Sequence, residues 1–85
     1  MQITMRYFAS LRETLGVDTE TIVLEPNVRD LRELRLMLAG RGNVWSEAFA
    51  PDCALRAAIN QQLVDESAML KPGAEVAFFP SLTGG

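Results

Sequence analysis

The chain contains no histidine. The usual general base, the Ser-His and Cys-His nucleophile pairs and every imidazole-ligated metal site are therefore closed to it. Cysteine occurs once, at Cys53, so neither an intrachain disulfide nor a paired-cysteine metal site can form, and no metal is expected. Cys53 can be a reactive thiol, with only Arg56 near enough in sequence to favour the thiolate. A small buried apolar thiol is the commoner fate of an unpaired cysteine. No run approaches the ~20 apolar residues of a membrane span. The opening "MQITMRYF" lacks a basic segment leading into an apolar one with a small-residue cleavage site. No membrane partner is expected, and the expected location is the cytoplasm. Lys and Arg number 8 against 11 Asp and Glu, a net charge of −3. Phosphate binding wants a clustered basic stripe, so nucleic acid is not an expected partner.

What is present is enough for one core. A chain of 85 residues, 48% of them hydrophobic, buries a little over ~60% of its unfolded surface and builds a single domain. "QITMRYF" alternates, with Ile3, Met5 and Tyr7 on one face and Arg6 and Phe8 on the other, the period of a half-buried strand. "ASLRETLG" reads as a short helical turn or loop closed by Gly16, and "TETIVLE" resumes the alternation. Pro26 stops that strand. Asn27 is the expected N-cap of a helix carrying Val28, Leu31, Leu34, Arg35 in part and Leu38, with Leu36 and Met37 widening its apolar face. Gly40 or Gly42 can take the left-handed position at its end.

After the helix, "NVWSEAFAPD" is expected to be irregular or briefly helical, with Trp45 and Phe49 capping the edge of the core. Leu55–Ile59, a turn at Asn60 to Gln62 and a short strand at Leu63 and Val64 predict a second hairpin. "LKPG" is a turn, and "AEVAFFP" is the last strand. The order predicts an α+β unit, a mixed sheet with one main helix packed on one face. Alternation then puts Val76 and Phe78 inside and turns Phe8 and Phe79 away from the helix. The two phenylalanines either form a binding patch or cover the sheet rim and the Gly16 loop.

The chain stops on Gly84 and Gly85. Glycine packs no side chain, and at its ~7% average usage a terminal pair arises by chance in roughly one chain in two hundred. A tail without side chains can thread a narrow channel in another protein and present its carboxylate there. "RYFASLRETLG", "AAINQQLV" and "LKPGAEVAFFPSLTGG" together resemble the small, sulfur-carrying subunit of molybdopterin synthase, a ubiquitin-like β-grasp family, in order and spacing.

The resemblance implies a β-grasp domain over residues 1–80 and a flexible tail over 81–85. It implies that an adenylating partner related to ubiquitin-activating enzymes uses ATP to activate Gly85, which a sulfur donor converts to a thiocarboxylate. The tail, with Gly84 and Thr83, then enters the large synthase subunit and gives its sulfur to a cyclic pyranopterin monophosphate. Two small subunits would flank a dimer of large ones, with Phe8, Arg12 and Phe79 facing the partners. The carrier would hold no cofactor permanently and contribute no catalytic side chain. Ser81 and Leu82 stand where the family commonly has Pro and Val, and Ala74 where it often has aspartate. A missing proline leaves the tail's backbone freer. A carrier for thiamine or another thiolation pathway, a ubiquitin-like modifier joined to lysine through Gly85, and a plain interaction domain are the alternatives.

Overall fold

The computed structural model describes residues 1–81. Strand β1 (Gln2–Tyr7) buries Ile3, Met5 and Tyr7 and leaves Gln2 and Arg6 exposed, so the alternation decides which face meets the core. Strand pairing ends at Tyr7, and Phe8 stands ahead of helix α1 (Ala9–Leu15), which buries Leu11. Gly16 closes α1 at φ 75, its N–H donating to the Arg12 carbonyl at 2.9 Å, a conformation that favours glycine. Strand β2 (Thr19–Val23) then runs antiparallel to β1, with Ile22 opposite Ile3 and Glu20 opposite Met5.

Helix α2 (Leu31–Ala39) is capped by Asp30, not by the expected Asn27. Glu25 to Val28 instead form a turn around Pro26, closed by Val28 N–H on the Glu25 carbonyl at 3.0 Å. Asp30 Oδ1 accepts from the Glu33 amide at 2.8 Å, while Glu33 Oε1 accepts from the Arg29 amide at 2.9 Å. An aspartate with a glutamate three residues on satisfies the Glu33 amide in the first turn and the Arg29 amide just before the cap, which Asn27 cannot do from outside the helix.

Leu31, Leu34 and Leu38 are fully buried, but Leu36 is 61% exposed and does not widen the apolar face. At 3.6 residues per turn it points nearly opposite Leu34. Met37 is half-buried and packs on the core. Of the two glycines, Gly42 takes the positive φ (81), while Gly40 stays right-handed.

The short helix α3 (Val44–Ala48) delivers Phe49 to the centre of the core, 1% exposed, not to its edge. Phe49 meets Phe78 edge-on at 5.3 Å and Tyr7 at 6.2 Å, and stacks on the half-buried Trp45 at 5.9 Å. Such ring geometries match the positive edges of one ring to the negative face of another.

Strands β3 (Leu55–Ile59) and β4 (Gln62–Val64) form a hairpin on Asn60 and Gln61, both at positive φ (50 and 70), the geometry that matches the twist of paired strands. The Asn60 side chain accepts from the Glu75 amide at 3.0 Å, tying the turn to strand β5 (Glu75–Pro80). The sheet order is β2-β1-β5-β3-β4. Only the central β1·β5 pair is parallel. The expected α+β arrangement is present, with α2 as the main helix and α1 and α3 contributing Leu11 and Ala48 to the same core.

Candidate tail-root interface

The last strand divides its residues between two environments. Val76 and Phe78 are buried inside, and Ala77 and Phe79 face outward, as alternation predicts. Cross-strand register assembles the outer face: Ala77 lies between Arg6 and Ala58, Phe79 is opposite Arg56, and Leu63 is opposite Ala58. The inner register places Tyr7 beside Phe78, so Phe8, one residue on, follows toward Phe79. Phe8 is 40% exposed and Leu63 60%. The Arg6 guanidinium lies 5.4 Å from the Phe8 ring centroid and 3.7 Å from Glu75.

At the end of β5 these residues border an open groove of about 610 Å³ between Ala9 and Ser10 of α1, Arg56 and Leu63 of the hairpin, and Phe79 to Ser81. The Ser81 amide donates to the Ala54 carbonyl at 3.1 Å, which fixes the last described residue beside this groove. The expected site residues Thr83, Gly84 and Gly85 lie outside the described residues.

Of the expected interface residues, the groove holds Phe79, and Phe8 immediately precedes its Ala9 wall. Arg12 is elsewhere on α1, exposed and beside Gly16, Val17 and Asp18. The sequence reading did not single out Leu63 or Arg56 for this surface, although the hairpin alternation contained the signal. With Ala57 inside, Arg56 and Ala58 share the outer face. Cys53 is half-buried, not sealed, and borders a small cavity of about 240 Å³ with Leu11, Ala54 and Pro80.

The inner side carries the polar anchors. Arg35 is 8% exposed on the apolar side of α2. Its Nε donates to the Phe49 carbonyl at 3.1 Å, its Nη2 to the carbonyls of Ala50 and, at 2.7 Å, Cys53, and its Nη1 lies 3.6 Å from Glu66. Tyr7 donates its hydroxyl to Glu20 at 2.7 Å, and Arg41 grips the same carboxylate at 2.9 and 3.2 Å while lying 4.4 Å from the Trp45 ring centroid. Burial, then the Glu20 hydrogen bond, pushes the Tyr7 phenol well above the ordinary tyrosine range. Burial alone would raise Glu20, but hydrogen bonds from Arg41 and Tyr7 and the charge of Arg41 hold it below the usual carboxylate value. Hydrogen bonds from Ser67 likewise lower Asp65. Among the described residues no group of three acidic or thiol ligands converges as a metal site would require, and no helix is long and apolar enough to cross a membrane.

The ThiS family model matches residues 5–85. The chain is 39% identical over 83 residues to the molybdopterin synthase sulfur carrier subunit of Haemophilus influenzae, covering 98% of this chain and 99% of that one. The corresponding subunit of Escherichia coli is 39% identical over 84 residues with the same coverages. Among solved structures, the complex of subunits 1 and 2 of the molybdopterin-converting factor from Helicobacter pylori contains a chain matching at TM-score 0.67 and 26% identity, both chains covered completely. SAMP1 from Haloferax volcanii matches at TM-score 0.76 and 21% identity, again over 100% of both chains, which shows the shared fold. The ubiquitin-like β-grasp expectation is thereby borne out. Matched over 98% of its length by curated sulfur carrier subunits and over residues 5–85 by the family model, this chain belongs to the ThiS family.

Proposed function

We propose that this chain is the sulfur-carrying subunit of a molybdopterin synthase and that Gly85 is the residue that carries the sulfur. The observation that supports it most is the likeness to curated carriers over 98% of the chain, within a family match that reaches the final glycine. The Gly85 carboxylate attacks the α-phosphate of ATP held by an adenylating partner, pyrophosphate leaves, and an acyl-adenylate forms. A donor sulfur displaces AMP to give the thiocarboxylate. Delivered into the large subunit, this sulfur bonds to a cyclic pyranopterin monophosphate, the bond between it and the Gly85 carbonyl carbon is cleaved by water, and the carboxylate is regenerated for another round.

The domain's part is recognition and delivery. Phe8 and Phe79 give the tail root an apolar surface to seal against a partner, each worth roughly 1.5 to 3 kcal/mol if fully buried there, and Arg12 adds a charged contact. Thr83 and Gly84 occupy the partner's channel, Gly84 because no side chain widens it. Two such carriers serve a dimer of large subunits.

The test is fragmentation mass spectrometry of the C-terminal peptide after incubation with ATP, a sulfur donor and an extract of the same source. The expected result is an ATP-dependent exchange of oxygen for sulfur localised to Gly85. Localisation is needed because an oxidised methionine adds nearly the same mass, and the chain has 4. An unaltered Gly85 in an extract that activates a known carrier would overturn the proposal, and Gly85 joined to target lysines would assign a modifier instead.

A further inference from the structure

Arg56 is out of keeping with its surroundings. It is exposed on the outer face directly opposite Phe79, and it borders the tail-root groove with Leu63, Phe79 and Pro80. No ion pair or hydrogen bond engages its guanidinium among the described residues. Asp65 and Glu66 share a second cavity with Arg56, but Asp65 Oδ1 accepts from the Ser67 amide and hydroxyl, Glu66 lies 3.6 Å from Arg35, and neither forms an ion pair with Arg56. Nor does Arg56 serve the fold as Arg35 does. Among the described residues it is a cation without an ion pair, with Leu63, Phe79 and Pro80 on its groove side and Asp65 and Glu66 on the other.

We infer that Arg56 is a specificity-determining contact of the tail-root groove, seating against a carboxylate on an otherwise apolar partner surface. The inference rests on the carrier reading above and names the chemistry of the partner's matching face. A surface that covers Leu63 and Phe79 must also cover Arg56, which lies between them. Covering a guanidinium without a counter-charge forfeits its hydration with nothing in return. An apolar partner that lacks the acid is therefore rejected, and one that has it gains a planar, two-pronged hydrogen-bonded pair. The chain as a whole carries net charge −3, so long-range attraction toward an acidic partner is weak. The pair acts at close range, and its loss is read in the dissociation rate more than in the association rate.

The experiment measures association and dissociation of the full-length chain with the purified large molybdopterin synthase subunit of its own source, at two salt concentrations. Arg56→Glu, Arg56→Leu and Arg56→Lys are compared with Arg29→Glu, which makes the same charge change at the start of α2. Arg56 is exposed, and thermal unfolding of each variant confirms that the fold is kept. The expected result is an Arg56→Glu affinity at least about fivefold below that of Arg29→Glu through faster dissociation, a smaller loss for Arg56→Leu, and partial retention by Arg56→Lys. Any smaller difference between the two glutamate variants, or Arg56→Leu binding as tightly as the wild type, overturns the carboxylate contact while leaving the carrier reading standing. Failure of the wild-type chain to bind the large subunit sinks both.

Discussion

A leucine at position 35 would complete the apolar face of α2, strip the Phe49 and Cys53 carbonyls of their Arg35 donors and leave the Ala50 carbonyl with the Cys53 amide alone. Arg35 instead satisfies Phe49, Ala50 and Cys53 from inside the protein, holding the chain after α3 against the helix. Replacing it with methionine keeps most of the volume and removes every donor. The expected cost is about 3 kcal/mol, since buried acceptors lose charge-assisted hydrogen bonds. Urea unfolding of Arg35→Met checks it, and a loss under about 1 kcal/mol would show that water replaces the guanidinium. Spacing placed Arg35 on the inner face, yet nothing local announced its partners, which lie 14 to 18 residues away. The cap was misplaced for a different reason. Asn27 and Asp30 are both competent N-caps, and only the paired role of Glu33 separates them.

The linkage of elements is clearest where β1, β2 and the segment after α2 meet at Tyr7, Glu20 and Arg41. Glu20 has a folded pKa below its ordinary value, so folding favours its ionised form. That contribution is present above about pH 4.5 and is lost as pH falls through the folded value. Tyr7 is shifted upward, so folding favours the neutral phenol, and this contribution is lost as pH rises past about 10. Stability is therefore expected to decline on both sides of a neutral plateau. Glu20→Gln should flatten the acid limb below about pH 4.5 and Tyr7→Phe the alkaline one. Trp45, against Arg41 and the only tryptophan, provides the fluorescence readout. An acid limb unchanged in Glu20→Gln would assign the acid sensitivity to other carboxylates. Alternation identified the strands and their faces because each side chain's environment follows from its neighbours two residues away. It could not place Phe49 in the middle of the core, since that depends on how far α3 carries the chain inward.

On the scale of the whole molecule, the proposed carrier role of Gly85 makes a direct prediction. A chain ending at Ser81 should unfold within about 2 °C of the full-length protein, because the cores it packs are the same, while supporting no molybdopterin formation in a reconstituted synthase. A lowered midpoint with activity retained would reverse both halves. The family was legible in "AEVAFFPSLTGG", and the fold in the order of strands. The surface around the tail root was only half legible. Phe8 and Phe79 declare themselves by being on the wrong face, whereas Leu63 and Arg56 join them only through the register of a hairpin with β5.

That register also decides how the protein responds to force. β5 lies inside the sheet, parallel to β1 on one side and antiparallel to β3 on the other. A pull along its C-terminal end acts across both hydrogen-bond ladders at once, stressing them in shear instead of peeling them apart one by one. Under the proposed function, a partner that grips the terminus and then withdraws would pull on a strand held by hydrogen bonds on both sides.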